Sequence, residues 1–208
     1  MLARLVSIVG LLIAAAGGFS APSHGAECGL CQLIRSTPAS DFSSVAHPNG
    51  GPSRVILMRH ADKPDDPDAP DLSAAGAARA QHLATYIPET FGRPDFIIAT
   101  APSKHSDRPF ETVEPLAKAV GLSVQHDIED KEFEDLVDEI FSDPTYRGKT
   151  LVVCWHHGTL PAIAALLGAP AGSYPDPWPD NTYNVILDFR YDPNSGAAPV
   201  VRQVTEPF

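Results

Sequence analysis

From Arg54 onward the sequence alternates short apolar runs with longer amphipathic segments, and this alternation limits the folds open to the chain. The runs have the length of buried strands, and the longer segments carry apolar residues at helical spacing. We predict strands at 54–58, 95–100, 122–126 and 150–155, helices at 72–87, 107–121, 130–141 and 159–168, and later strands in "TYNVILDF" and "PVVRQV". This order predicts an α/β fold, a three-layer α/β/α sandwich with a mainly parallel sheet.

The residues before this pattern have the composition of a targeting segment. One positive charge precedes an apolar run from Leu5 to Ala16, and small residues follow, as in a secretory signal peptide. The run is shorter than the roughly 20 apolar residues needed to span a bilayer, which disfavours a membrane anchor. We expect export to the periplasm or secretion, with no stable membrane span after cleavage. The expected organisation is a signal peptide at 1–26, an N-terminal arm at 27–53 and one domain at 54–208.

Charge and cysteine content restrict partners and chemistry. The chain has 26 acidic and 15 basic residues and a formal net charge of −11. Nucleic acid is therefore excluded as an expected partner, because phosphate-backbone binding depends on clustered Lys and Arg. Cys28 and Cys31 can close a small loop in an exported protein, and their pairing is left open. Cys154 is expected to be a buried, small apolar residue.

Charged and titratable side chains follow each of the first four predicted strands. Arg59 and His60 end the first strand, and the loop after the second leads to Arg108. The acid-rich "HDIEDKE" follows the third, and His156 and His157 end the fourth. In an open α/β sheet, ligands bind at the carboxyl ends of the strands. We therefore expect imidazoles, guanidiniums and carboxylates to meet at one edge of the sheet.

Each of these residues also has a simpler explanation. A lone Arg or His at a strand end usually makes surface hydrogen bonds, and Arg108 can pair with Glu111 on its own helix. The carboxylates of 127–135 can form a solvated helix face. Since side chains alternate along extended backbone, His157 can point away from His156. The four segments together are harder to explain in this way than any one of them.

The combination fits phosphoryl chemistry. Guanidinium groups pair bidentately with phosphate oxygens and remain charged. A neutral imidazole can attack phosphorus and carry the group covalently, which splits one difficult displacement into two easier ones. A carboxylic acid can protonate the departing alkoxide and then deprotonate the attacking water. This chemistry requires neither a metal nor a cofactor, so none is expected.

Several motifs resemble those of the histidine phosphatase superfamily, the phosphoglycerate mutase-like group. "LMRHADKP" resembles its Arg-His signature, and "DLSAAGAARAQHLA" resembles the stretch that follows it. "DRPFETVEPLA" resembles the segment with the second arginine, and "LVVCWHHGTLPAIAALLG" the segment with the second histidine. The resemblance covers about Val55 to Gly168. It implies the phosphoglycerate mutase-like version of the predicted sandwich.

The resemblance also implies roles for individual residues. His60 matches the phosphorylated nucleophile, and Arg59 and Arg108 match phosphate-binding residues. The alignment favours His156 over His157 as the second catalytic histidine. The family spacing places Glu132 as the catalytic acid, with Asp127 and Glu129 as alternatives, and Lys63 can add positive charge at the pocket rim.

We therefore expect a metal-independent phosphatase that hydrolyses phosphate monoesters through a phosphohistidine. Its substrate is expected to be a phosphorylated small molecule or a phosphopeptide, selected by loops 61–71, 101–107 and 169–181. Three alternatives are a phosphomutase, a phosphate-binding module without turnover, and a metal-binding protein that uses His60, His156 and His157.

Overall fold

The computed structural model describes residues 50–66, 68–192 and 195–208, which belong to one compact unit. The predicted signal peptide, Cys28, Cys31 and most of the predicted arm lie outside the described residues. The strands are β1 (Arg54–Arg59), β2 (Phe96–Ala99), β3 (Val124–Gln125), β4 (Thr150–Trp155), β5 (Val185–Arg190) and β6 (Val200–Thr205). The helices are α1 (Ala74–Phe91), α2 (Arg108–Val120), α3 (Phe133–Ser142) and α4 (Leu160–Leu166), with short 3-10 helices at Asp130–Glu132 and Pro144–Tyr146.

The strands form one six-stranded sheet in the order β3-β2-β4-β1-β5-β6. Neighbouring strands from β3 to β1 run parallel, whereas β5 is antiparallel to both β1 and β6. The predicted strand at 122–126 shortens to Val124–Gln125, which lies at the edge of this sheet and pairs with β2. The predicted α/β fold with a mainly parallel sheet is confirmed.

Alternating side chains of the central strands build two separate cores, one on each face of the sheet. Val55 and Leu57 of β1 pack with α3 and α4, while Ile56 and Met58 of the same strand pack with α1 and α2. Because the central strands are covered on both faces, they appear in the sequence as nearly continuous apolar runs. The three-layer arrangement is therefore also confirmed.

The start of α1 brings this helix against the loop after β1. The Ser73 side chain caps the helix by accepting a hydrogen bond from the Gly76 N–H. A side chain at Gly76 would collide with the carbonyl oxygen of Asp62, so glycine permits this close approach. Helix α1 continues through Pro88 to Phe91, beyond the predicted end at residue 87, because Phe91 is buried in the core beneath it.

Two buried ion-pair groups tie the sheet to its surroundings. Arg54 of β1 donates two hydrogen bonds to the fully buried Asp188 of β5, at 2.6 and 2.8 Å. Arg79 of α1 contacts both Asp62 and the buried Glu206 near the carboxyl terminus.

In the part of the chain that the structure describes, no helix is long and apolar enough to cross a bilayer.

Candidate active site

The ends of β1 and β4 bring two of the predicted site residues together. Arg59 lies opposite Trp155 in the parallel register of these strands, and the His60 N–H donates to the Trp155 carbonyl at 3.1 Å. His60 and His156 therefore leave the sheet side by side. Their ring centroids are 5.2 Å apart, and the rings meet edge to face.

The His60 imidazole is oriented by its own backbone. The ring is buried, and its Nδ1 lies 2.7 Å from the Ala61 carbonyl oxygen. Because a carbonyl only accepts hydrogen bonds, Nδ1 carries the proton and Nε2 holds the free electron pair. Burial, with the positive charge of the nearby arginines, lowers the pKa of His60 to about 2. The imidazole is therefore neutral near pH 7, as a nucleophile must be.

Arg59 is almost fully buried and is held by the end of the loop at 169–181 and the residues directly after it. Its Nη1 donates to the Asp180 carbonyl at 2.7 Å and to the carbonyls of Pro179 and Thr182 at 3.2 Å. The guanidinium lies 4.0 Å from the centre of the Tyr183 ring, a cation–π geometry. Tyr183 was not predicted as a site residue, because no strand-end pattern marks it.

Arg108, the first residue of α2, is held from the other side. Its Nη1 donates to the carbonyls of Ala69 and Pro70, at 2.7 and 3.2 Å, in the loop after β1. Burial lowers the pKa values of both Arg59 and Arg108, yet a guanidinium remains protonated in proteins. Each arginine also lowers the pKa of His60 and of His156, so the structure places all four groups in one electrostatic environment.

Buried donors without a protein partner are concentrated in these same side chains. Among the described residues, four buried side-chain nitrogen or oxygen atoms have no hydrogen-bonding partner: Arg59 Nε, Arg59 Nη2, Arg108 Nε and Ser106 Oγ. A buried polar group left unpaired costs about 1–3 kcal/mol, and more if it is charged. A tetrahedral oxyanion would satisfy such donors, since its oxygens accept several hydrogen bonds. Ser106 was not predicted, and only its neighbour Arg108 marks this loop in the sequence.

Thr112 connects the nucleophile segment to the arginine segment. Its hydroxyl accepts a hydrogen bond from the Ala61 N–H at 2.8 Å and donates one to the Arg108 carbonyl at 2.7 Å. The residue is fully buried. This role was not predicted, because a threonine on the inner face of a helix has the pattern of an ordinary core residue.

The two adjacent histidines have different surroundings. His156 faces His60, whereas Nε2 of His157 lies 2.9 Å from a carboxylate oxygen of Asp180. Burial lowers the pKa of both imidazoles. The positive charge of the exposed Lys63 also lowers the pKa of His157 slightly.

The predicted acids lie on the surface. Asp127, Glu129 and Glu132 are exposed, and Glu129 and Glu132 cap the 3-10 helix reciprocally, with the Glu129 N–H donating to Glu132 at 3.3 Å. The negative charge of Asp130 raises the pKa of His156, and this opposes the lowering of that pKa by burial. The Thr159 hydroxyl donates to the Asp130 carboxylate at 3.0 Å, and the Trp155 indole donates to its carbonyl at 3.2 Å. Asp130 was not among the predicted acids, although it lies within "HDIEDKE".

Metal ligation was one of the alternatives considered for the histidines. Within the described ranges, no group of three or more His, Cys, Asp and Glu side chains is arranged to hold a metal ion.

Cys154 is free and buried, as predicted for a small apolar residue, and burial raises the pKa of its thiol far above the usual range.

Comparison with protein families and with curated proteins finds no match. Among solved structures, a protein histidine phosphatase SixA complexed with tungstate is 17% identical over 73% of this chain and 96% of its own, with a TM-score of 0.50. A mycobacterial glucosyl-3-phosphoglycerate phosphatase is 15% identical over 74% and 97% of the two chains, with a TM-score of 0.49. "Mycobacterial hydrolase 1" is 16% identical over 74% and 96%, also with a TM-score of 0.49. The likeness to SixA shows that the chain has the fold of a histidine phosphatase.

Proposed function

We propose that this protein is a histidine phosphatase that hydrolyses phosphate monoesters through a covalent phosphohistidine on His60. The observation that carries the proposal is the set of buried guanidinium nitrogens on Arg59 and Arg108 that have no hydrogen-bonding partner. They belong to the same site as the adjacent imidazoles of His60 and His156. Arginines buried with unused donors are costly unless an anion binds them. The solved SixA structure of the same fold holds tungstate, which is a tetrahedral oxyanion like phosphate.

In the first step, Nε2 of His60 attacks phosphorus and the bond from phosphorus to the ester oxygen breaks. The electron pair of that bond leaves on the alkoxide, which takes a proton from a carboxylic acid. Arg59 and Arg108 stabilise the charge on the phosphoryl oxygens. In the second step, the carboxylate removes a proton from water, the water oxygen attacks phosphorus, and the nitrogen–phosphorus bond breaks to release inorganic phosphate.

His156 has a separate role in this mechanism. It lies edge to face against His60, and Arg108 and Asp130 influence its pKa in opposite directions. As a hydrogen-bond donor to a phosphoryl oxygen, it would join the two arginines in binding the group that is transferred. We propose Asp130 as the acid because of its effect on His156, and the sequence-based assignment of Glu132 stays a prediction beside the alternatives Asp127 and Glu129.

We further propose that the protein is exported through the segment at 1–26, on the basis of its charge and apolar pattern. Mass spectrometry of the amino terminus of the mature protein, isolated from the periplasm or the medium, tests this. Retention of residues 1–20 in the mature protein would contradict it.

The proposed activity is tested with 4-nitrophenyl phosphate, in the presence and absence of a chelator. We expect chelator-independent turnover that falls by about 10³-fold or more in His60→Ala, because the nucleophile is lost. His82→Ala, at an exposed position on α1, is the matched control and should retain activity. Rapid acid quenching during turnover should trap a phosphoprotein in the wild type and not in His60→Ala.

Other outcomes point to the alternatives. Binding of phosphate without turnover would support the non-catalytic module, and transfer of the phosphoryl group to an added alcohol rather than to water would support a mutase. Activity lost to the chelator would support the metal-binding protein. Turnover that survives in His60→Ala at the wild-type rate would contradict the proposed mechanism.

A further inference from the structure

A cavity of about 550 Å³ lies between α4 and the loop at 169–181. One wall is the outer face of α4, where Pro161, Ala162 and Ala165 present small side chains. The other wall is the loop at 169–181, which contributes Tyr174 and the buried Trp178. This volume is in the range of small-molecule binding sites, which are typically about 300–1,000 Å³ and mostly apolar.

Two residues connect this cavity to the phosphate site. The Asp180 carbonyl accepts a hydrogen bond from Arg59 at 2.7 Å, and its carboxylate contacts the His157 imidazole at 2.9 Å. Asp180 and His157 both line the cavity, and His157 directly follows His156 in the chain. Through Asp180, the cavity lies one residue away from Arg59, the proposed phosphate ligand.

The cavity is negatively charged. Among the residues that the structure describes, its lining contains the carboxylates of Asp176 and Asp180 and no Lys or Arg. His157 adds no positive charge near pH 7, because burial and the proximity of Arg59 lower its pKa. The Tyr174 hydroxyl also remains neutral, since burial and the nearby Asp176 raise its pKa. The positive phosphate site and this negative cavity thus offer opposite charges to the two ends of one substrate.

We propose that the cavity binds the organic group of the phosphate ester and selects a positively charged or uncharged group with an apolar ring over an anionic one. The cavity supplies ring contacts through Tyr174 and Trp178 and attraction through Asp176 and Asp180. A second carboxylate or phosphate on the substrate would meet these two acids, whereas Arg59 and Lys63 act on His157 without lining the cavity themselves. The inference rests on the proposed phosphatase activity and adds the substrate class to it.

The test uses three aryl phosphates that differ only at the end of a para-ethyl group: an amine, a hydrogen or a carboxylate. The ethylene spacer keeps the acidity of the three leaving phenols similar, so differences in kcat/KM report recognition of charge. We expect kcat/KM to decrease from the amine to the ethyl compound to the carboxylate, with about tenfold between the extremes, which corresponds to about 1.4 kcal/mol. Raising the ionic strength should reduce this ratio, because the two carboxylates are exposed.

Two variants locate the effect. Asp176→Asn should lower the ratio of amine to carboxylate turnover, whereas Asp138→Asn, an exposed site on α3 with the same change in net charge, should leave it unchanged. Ala162→Phe should raise KM for the aryl esters and leave hydrolysis of the small substrate acetyl phosphate unaffected.

Equal kcat/KM values for the three esters in the wild type would overturn this inference while the phosphatase proposal stands. Turnover of none of the three esters nor of acetyl phosphate would instead overturn the phosphatase proposal.

Discussion

At the residue scale, burial prepares the two types of side chain in the site in opposite ways. His60 loses its positive charge because it is buried beside two arginines, so its Nε2 is available for attack. Arg59 keeps its charge because a guanidinium holds its proton far more tightly than an imidazole does. The same desolvation therefore yields a neutral nucleophile and a permanent anion site within one pocket.

A comparison of Asp130 and Glu132 identifies the acid. Asp130→Asn is expected to lower kcat by about 10²–10⁴-fold, because the Asp130 carboxylate interacts electrostatically with His156. Glu132→Gln should change kcat little, because the Glu132 side chain caps an exposed turn. The loss should be larger for an alkyl phosphate than for 4-nitrophenyl phosphate, whose leaving group needs no proton. Steady-state kinetics on both esters measures this.

The reverse result has a clear meaning. If Glu132→Gln causes the larger, leaving-group-dependent loss, the assignment implied by the family motif is right and Asp130 has only a structural role. Asp135→Asn, at an exposed position on α3, serves as the control for a lost surface carboxylate and should match the wild type.

At the scale of elements, the site depends on how α2 is placed against the end of β1. The Thr112 hydroxyl joins these elements through one accepted and one donated hydrogen bond, and it is buried between them. Arg108 starts the same helix and reaches back to the carbonyls of Ala69 and Pro70. The distance between the nucleophile and the second arginine is therefore set by packing of a helix on a strand.

Thr112→Val tests this coupling. Valine has nearly the same shape but leaves the Ala61 N–H without its acceptor, so the free energy of unfolding should fall by about 1–3 kcal/mol. We also expect kcat/KM to fall by about tenfold or more, with weaker phosphate binding, because Arg108 loses its fixed position relative to His60. Thr112→Ser keeps the hydroxyl and should retain both properties. Isothermal titration with inorganic phosphate and urea unfolding separate the two effects, and unchanged phosphate affinity in Thr112→Val would contradict the positioning role.

At the scale of the whole molecule, the active site reduces the stability of the fold in acid. The pKa of His60 is near 6.5 in an unfolded chain and about 2 in the folded protein. Between these values the unfolded state binds more protons, so stability is complete above pH 6.5 and is lost as the pH falls. The burial of His156 lowers its pKa and adds to this loss in the same direction.

We predict that the free energy of unfolding falls by about 1.6 kcal/mol between pH 6.5 and 5 through His60 alone, because the slope rises from half to nearly all of about 1.4 kcal/mol per pH unit. His60→Gln should therefore show a shallower dependence on pH over this range than the wild type does. Urea unfolding in phosphate-free buffer measures it, with His82→Gln as the exposed control. Parallel curves for the wild type and His60→Gln would contradict the prediction.

The sequence by itself determined the layered fold and the strand ends that carry the site. Strand and helix periodicity are local properties, and every strand that is buried on both faces leaves a continuous apolar run such as "RVILM" or "TLVVCW". Because parallel strands share one carboxyl edge, the order of the segments was enough to predict that His60 and His156 meet, and the structure places them 5.2 Å apart.

Tertiary structure alone decided which side chains support and complete this site. The placement of Tyr183 on Arg59, of Thr112 between two segments and of Asp130 beside His156 depends on contacts between residues far apart in the chain. The cavity formed by α4 and the loop at 169–181 likewise exists only after packing. Such contacts leave no periodic signal, because they depend on the directions of individual side chains and on loop paths that local sequence does not specify.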